Sequence, residues 1–377
     1  MNLSAQLFVL LGCMHAMQPT VIVIAWFVIR HTQTFHSRYS QPYALRGSSD
    51  AAPAYPSTVV TFKSCCIKKH CVAGRRPMSE AVFREMWTKL LPFIVTVKPM
   101  TDLCWTCQQN NSLVYWGANI SETAKSERLQ KQEVHLHRAV CESSEYQSMV
   151  AASKATCESS QLASFSKNVP CSQHILMHYS FDYAQQIHLP SNPLQPGPVY
   201  FMVPRKVGLF GVCCEGLPKQ MNFCIDEAHL ISKGSNAVIS YLNYFFDNYG
   251  FGEMDTHLHC DNCSGQNKNH FMLWYCAWRC CVGLHQSITL NFLIAGHTKF
   301  APDGCFGLLK RAFKRSAVST LKELTEVIEG SACLNEVQLV GFENGTSIVP
   351  VADWQAFFDQ HFRPLPEIKK YHHFRYK

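Results

Sequence analysis

Three short segments bring together the residue types needed for divalent-metal chemistry. They are Ser180-Phe-Asp-Tyr-Ala-Gln-Gln186, His259-Cys-Asp-Asn-Cys-Ser-Gly-Gln-Asn-Lys-Asn269 and Gly296-His-Thr-Lys-Phe-Ala-Pro-Asp303. In each, an aspartate stands where an apolar, strand-like run gives way to polar residues. Asp182, Asp261 and Asp303 therefore read as carboxylates carried to one place by the ends of a scaffold. Mg²⁺ and Mn²⁺ favour carboxylate oxygens, and a pair of such ions can clamp an in-line displacement at phosphorus. His297 stands close to the last aspartate, either as a group orienting a phosphate or water or as a packed, hydrogen-bonded histidine.

The elements that would hold these residues follow from periodicity. Alternation predicts a strand over 174–182, with Leu176, His178 and Ser180 on one face and Ile175, Met177, Tyr179 and Phe181 on the other. Further strands fit 206–214, 220–225, 256–260 and 288–295. Helices fit 236–248, 269–281 and a run from Asp303 to about residue 315. The order is β-β-β-α-β-α-β-α, with aspartates after the first strand, after the fourth, and at the start of the last helix. This is the order of the ribonuclease-H-like fold, in which the first and fourth strands lie side by side and parallel. That adjacency would set Asp182 beside Asp261. The expected class is α/β with a mixed sheet: a ribonuclease-H-like core over 170–316, an N-terminal helical, cysteine-containing region over 77–165, and a small C-terminal accessory unit over 317–377. Residues 1–76 read as leader and linker, with Ser, Pro, His and Arg and no period over 30–76.

Composition bounds the rest. At 377 residues and 47% apolar, the chain is long enough for two or three domains and too apolar for a disordered protein. Its 34 Lys and Arg against 27 Asp and Glu give +7, a mild excess that suits a polyanion without demanding one. The 19 Cys include the vicinal pairs Cys65-Cys66, Cys213-Cys214 and Cys280-Cys281, whose geometry disfavours mutual bridging, so most read as reduced thiols of an intracellular protein. The apolar runs 7–11 and 21–29 raise a secretory or anchored alternative. No positive segment precedes the first run, and the second falls short of the about 20 residues a spanning helix needs. No stable membrane association is expected. Asn-x-Ser/Thr matches begin at Asn110, Asn119, Asn262 and Asn344 and would matter only on secretion.

Other motifs carry weaker chemistry. Cys104-Trp-Thr-Cys107 is half of a zinc site, with Cys65, Cys66, Cys71, His135, His137 and Cys141 as candidates for the other half. Residues 80–91 form an amphipathic pattern flanked by Arg75, Arg76, Arg84 and Lys89, which fits either a DNA-recognition helix or an ordinary packed one. A polar helix is expected over 121–160, with Asn119 and Glu122 spaced as a capping box, as a spacer or dimer arm. Asn262, Gln266, Asn267, Lys268 and Asn269 beside Asp261 could touch phosphates, with Gly265 at positive φ, or could bond the loop to itself. Lys310, Arg311, Lys314 and Arg315 make the last helix basic, for phosphate contact or as a solvated face. After residue 316 a helix near 320–329, a hairpin around Glu343-Asn-Gly-Thr346 and a helix near 353–362 are expected, and the basic, aromatic end over 369–377 fits either nucleic-acid contact or an unfinished strand.

Pro99-Met-Thr-Asp-Leu-Cys-Trp-Thr-Cys-Gln-Gln-Asn110, the block from Asp261 to Asn269 and the block from Gly296 to Asp303 resemble a multicopy family of transposon-derived eukaryotic proteins. The resemblance covers roughly Pro77 to the C-terminus and is specific in the two long polar blocks. It implies a transposase- or integrase-like core of the Asp-Asp-Asp/Glu type, DNA as partner, a nuclear location and action as a homo-oligomer. Gly304 stands where such proteins more usually have a bulky aromatic residue, which is expected to loosen packing there. Resembling sequences commonly run on past Lys377, so an inactive or truncated copy is one expectation. A non-catalytic nucleic-acid-binding descendant is the alternative.

Overall fold

Two periodicities build the structure, a computed structural model. It describes residues 103–115, 121–194, 197–201, 203–230, 232–297 and 299–377, together with 55–56, 85, 89 and 96–97. The chain divides into two units, Met1–Glu133 and Val134–Lys377. The division falls within one continuous helix.

In the first unit, α1 (Trp105–Tyr115) is followed by the start of α2 (Glu122–Ser159). Ser121 Oγ accepts the backbone N–H of Ala124 at 3.3 Å, so the first turn of α2 is capped by this hydroxyl. Asn119, expected in that role, lies outside the described residues. Two bonds fasten α1 to α2: Asn110 Nδ2 to Gln132 Oε1 at 2.8 Å, and Arg128 Nη1 to the Leu113 carbonyl at 2.9 Å. Of the helix expected over 80–91, Glu85 and Lys89 are described; both are helical and form an ion pair at 2.7 Å. The apolar N-terminal runs lie outside the described residues. Among the described residues no helix is long and apolar enough to cross a membrane.

The second unit is built on an eight-stranded mixed sheet. Its strands are β1 (Gln173–Tyr183), β2 (Ile187–Leu189), β3 (Arg205–Cys214), β4 (Lys219–Asp226), β5 (Glu253–Cys260), β6 (Ser287–Phe292), β7 (Asn335–Leu339) and β8 (His373–Tyr376). The spatial order is β8-β6-β5-β1-β3-β4-β7, with β2 paired to β3. β1 runs parallel to β5 and antiparallel to β3, so the expected adjacency of the first and fourth strands is present. Residues 317–377, expected as an accessory region, supply both edge strands: β7 lies parallel to β4 and β8 antiparallel to β6.

Alternation along β1 assigns its two faces. Met177, Tyr179 and Phe181 enter an apolar core with α3 (Ser235–Tyr249) and α4 (His270–Cys281). Tyr241 stacks on Phe223 at 5.5 Å between centroids, and Phe245 meets Tyr179 edge-on at 5.3 Å. The aromatic stripe of α3 thus seals that face. Helix α7 (Trp354–Asp359), capped by Asp353, closes the layer. The opposite face is covered by α5 (Ala301–Phe313) and α6 (Leu321–Ser331), whose Phe306, Leu309, Leu321 and Leu324 pack on Val207, Leu209 and Cys224. The second half of α2 covers the same face, near the β3–β4 turn. There Gly216 leaves room for Ser153; an added Cβ would stand 2.5 Å from its Oγ.

Gly211 has the same function under α5. It lies opposite Asp182 in the β1–β3 register, and an added Cβ would stand 2.8 Å from both Phe306 Cζ and Gln220 Nε2. We expect Gly211→Ala to lower stability by roughly 1–3 kcal/mol in urea unfolding, as overpacked sites do. Combined with Phe306→Leu, the loss should be less than the sum of the two single losses. Additive losses would show that the Phe306 contact is not what demands glycine.

Candidate active site

Strand β1 delivers Asp182 at its C-terminal end, and β5 stops one residue before Asp261. Because the two strands are parallel neighbours, with Ser180 level with His259, their ends come out on the same side of the sheet. Asp303 is in the first turn of α5, where its Oδ2 accepts the Phe300 N–H at 3.3 Å and completes the helix start. Each of the other two carboxylates is fixed through one oxygen. Asp182 Oδ1 accepts the Tyr183 N–H at 2.7 Å. Asp261 Oδ1 accepts Cys263 N–H at 3.0 Å and Asn267 Nδ2 at 2.6 Å. Asp182 and Asp261 are half-buried and Asp303 is exposed, so the group sits where solvent meets the sheet end.

Electrostatics tie the three together. The Asp182 carboxyl is pushed up to about 7, first by burial, then by the negative charge of Asp261, with Asp303 adding to it; the Tyr183 N–H opposes the shift. Among the described residues neither Asp182 nor Asp261 forms an ion pair with a cationic side chain. Asp182 and Asp261, two half-buried carboxylates at neighbouring strand ends, are the kind of oxygen donors that a hard divalent cation takes.

Behind the carboxylates lies a polar layer that motif reading missed. On β1, His178 and Ser180 precede Asp182 on the same face; on β5, His259 precedes Asp261. His178 Nε2 and His259 Nδ1 lie 2.8 Å apart, and burial drives His178 down to about 3 and His259 well below its ordinary value, so both rings are neutral and one donates to the other. Glu215, in the β3–β4 turn, accepts from Ser180 Oγ at 2.6 Å and from the Tyr146 hydroxyl. Tyr146 Oη in turn accepts the Ala301 N–H at 3.4 Å, at the start of α5. Tyr146 stands edge-on to His178 and His259, with centroids 5.4 and 4.9 Å away. The signal in the sequence was the i, i+2 spacing of His178, Ser180 and Asp182 and of His259 and Asp261, which a search for strand ends passes over.

Several expected roles change. Lys268 is buried; its Nζ donates to Asn262 Oδ1 at 2.9 Å and lies 5.1 Å from the Phe292 ring centre, so its ammonium is turned inward rather than held out to a phosphate. Asn262 itself donates to the Leu293 carbonyl, and Asn269 caps α4 through Met272 N–H at 3.1 Å. The block after Asp261 is therefore largely bonded to itself, with Gln266 half-buried at its rim. Gly265 does not adopt positive φ; Gly296 does, at 78°. Strand β6 ends at Phe292 rather than near residue 295, and His297 falls in the following loop. Its Nε2 lies 3.2 Å from that of His135 on α2, so it faces that helix. Gly304 is exposed and an added Cβ would meet nothing, so its small size opens no gap. Arg311, Lys314 and Arg315 are exposed at the C-terminal end of α5, with Lys310 half-buried beside them.

In the first unit Cys104 immediately precedes α1 and Cys107 lies in its first turn, both as thiols, so the expected half-site sits at the start of that helix.

A mixed α/β sheet with a carboxylate cluster at the ends of parallel neighbours is the class of protein this geometry defines. Residues 204–377 match the family model described as Domain of unknown function (DUF7869). The match contains Asp261 and Asp303 and begins after β1, which carries Asp182. No curated protein and no solved structure matches the chain.

The Asp182 shift has a defined consequence for the metal-free protein. An acid whose folded-state value is raised keeps a proton that the unfolded chain has released. Its stabilising contribution is full below the ordinary aspartate value of 3.8 and is lost as pH rises towards about 7. Urea midpoints of the chelator-treated protein should therefore fall across that window more steeply in wild type than in Asp182→Asn. Glu215, also raised by burial, adds a slope of the same sign to both proteins and cancels in the difference. Parallel pH profiles would refute the shift.

Proposed function

We propose that this protein is a transposase- or integrase-like DNA-processing enzyme with a ribonuclease-H-like core, which cleaves or transfers phosphodiester bonds. The observation that carries this reading is the placement of Asp182 and Asp261 at the ends of parallel neighbouring strands, with the charges of both Asp261 and Asp303 acting on Asp182. In this reading Asp182 and Asp261 hold one Mg²⁺ or Mn²⁺ and Asp303 helps to hold a second. When bound, such ions lower the pKa of an attacking water or 3′-hydroxyl and neutralise charge on the leaving oxygen.

The chain's own residues account for the remaining requirements. Asn267 and the Cys263 N–H hold the Asp261 carboxylate in a fixed orientation. The Tyr183 N–H does the same for Asp182. Asp303 stands in the first turn of a helix, where the helix dipole favours negative charge. Arg311, Lys314 and Arg315, exposed at and just past the C-terminal end of the same helix, are suited to phosphate contacts that position DNA without reading its sequence. With DNA as its partner, the protein is proposed to act in the nucleus.

The test is Mn²⁺ binding by calorimetry to the full chain, alongside nicking of supercoiled plasmid. Wild type should bind Mn²⁺ and nick DNA, and Asp182→Asn and Asp261→Asn should each abolish both while keeping the wild-type circular dichroism spectrum. Equal binding and cleavage by both variants would overturn the site. A folded wild type that binds no Mn²⁺ would leave the non-catalytic nucleic-acid-binding reading in its place.

A further inference from the structure

Asp182 stands on β1 and Asp303 on α5, so the distance between the two carboxylates depends on what ties those elements together. A chain of hydrogen bonds does so. Ser180 Oγ donates to Glu215 Oε1 at 2.6 Å, the Tyr146 hydroxyl donates to Glu215 Oε2, and the Ala301 N–H donates to Tyr146 Oη at 3.4 Å. The chain begins two residues before Asp182 and ends two residues before Asp303. We propose that Tyr146, acting through Glu215, is a positioning residue that sets where Asp303 stands relative to Asp182 and so prepares the site of the second metal ion. This inference rests on the two-metal reading given above.

Ser180 and Asp182 share a face of β1, so a hold on Ser180 is a hold on the strand end that carries the carboxylate. Glu215 accepts with both of its oxygens, one bond from the sheet and one from α2. Burial and the charge of Glu215 push the Tyr146 hydroxyl well above its ordinary value, so it keeps its proton and donates. A hydrogen bond to a carboxylate is roughly twice as strong as one between neutral groups. The same hydroxyl oxygen takes the Ala301 N–H, a first-turn amide for which α5 has no acceptor of its own. The ring adds to the hold by packing with Phe300 and Leu293. Phe300 is in turn bonded through its N–H to Asp303 Oδ2 at 3.3 Å. A shift of residues 300 and 301 therefore moves the Asp303 carboxylate.

Ser240 on α3 serves as an internal contrast. It is also a buried hydroxyl that joins two elements, accepting the Ala352 N–H and Trp354 Nε1–H, each at 3.0 Å. Neither element it joins carries a carboxylate of the site, and it lies in the opposite layer. Its loss measures what removing a buried, doubly used hydroxyl costs by itself. A purely structural Tyr146 would behave in the same way, whereas a positioning Tyr146 alters how the protein takes up metal.

The experiment compares full-length wild type, Tyr146→Phe, Glu215→Gln and Ser240→Ala. Amide hydrogen exchange of the metal-free proteins is followed by mass spectrometry, and Mn²⁺ is titrated by calorimetry and by plasmid nicking. Tyr146→Phe keeps the ring and removes only the hydroxyl. It should speed exchange over 299–304, leave the first Mn²⁺ ion unchanged and weaken the second about three- to tenfold, as loss of a hydrogen bond does. The Mn²⁺ concentration for half-maximal nicking should rise by the same factor, with the rate at saturating Mn²⁺ close to that of wild type. Ser240→Ala should move none of these, even where it lowers the urea midpoint. Wild-type exchange and wild-type Mn²⁺ titrations in both Tyr146→Phe and Glu215→Gln would overturn the proposal, and an equal shift in Ser240→Ala would reduce it to a stability effect. If Tyr146→Phe fails to fold, Glu215→Gln, which exchanges one accepting oxygen for an amide, decides on the same measurements. A folded wild type that binds no Mn²⁺ would overturn the two-metal reading and this role with it. Normal wild-type binding with unshifted variants removes the positioning role alone.

Discussion

The parallel pairing of β1 with β5 is the constraint on which the rest of the second unit depends. Parallel neighbours end on the same side of a sheet, so an acidic residue at each end brings two negative charges together. The Asp182 carboxyl is pushed up to about 7, first by burial and then by that repulsion. Packing elsewhere must offset this unfavourable arrangement. The large aromatic core on the opposite face, with Tyr179, Phe181, Phe210, Phe223 and Tyr241 all buried, supplies rigidity where the site cannot.

The same parallel geometry explains why a polar layer runs beneath the site. Side chains alternate along a strand, so the face that presents Asp182 also presents Ser180 and His178, and the face of Asp261 presents His259. Burying such groups is costly unless they are hydrogen-bonded. Ser180 and Tyr146 on α2 both donate to Glu215 in the β3–β4 turn, the two histidine rings pair with each other, and Tyr146 links the long helix, the sheet and the start of α5. Helix α2 is thus more than the spacer its charged sequence suggests. Its second half supplies Tyr146 and Ser153, whose hydroxyl accepts the His178 N–H at 3.0 Å.

The sequence made the strands and helices around the aspartates legible because each carries its own period. Alternation in 174–182 and the aromatic stripe of 236–248 are local signals, and both elements formed where expected. The inward turn of Lys268 was not legible, since a lysine in a polar block looks the same whether its ammonium meets solvent or the Phe292 ring. Nor was Glu215, which in sequence is a turn residue and in space lies under Ser180. The edge strand β7 escaped for a related reason: it is short and lies at the rim, so its pairing partner rather than its own pattern decides it. His297 was read by its proximity in sequence to Asp303, whereas its neighbour in space is His135.

His297 and Asp303 are nonetheless linked, because both belong to the connection that leaves β6 and enters α5. Phe300 and Leu293 on that connection pack against Tyr146, and the Phe300 N–H is held by Asp303. Gly296, at φ 78°, makes the turn that lets the chain present His297 before it reaches the helix. The contact of His297 with His135 on α2 therefore shortens the length of free chain in front of α5 and narrows the positions open to the Asp303 carboxylate.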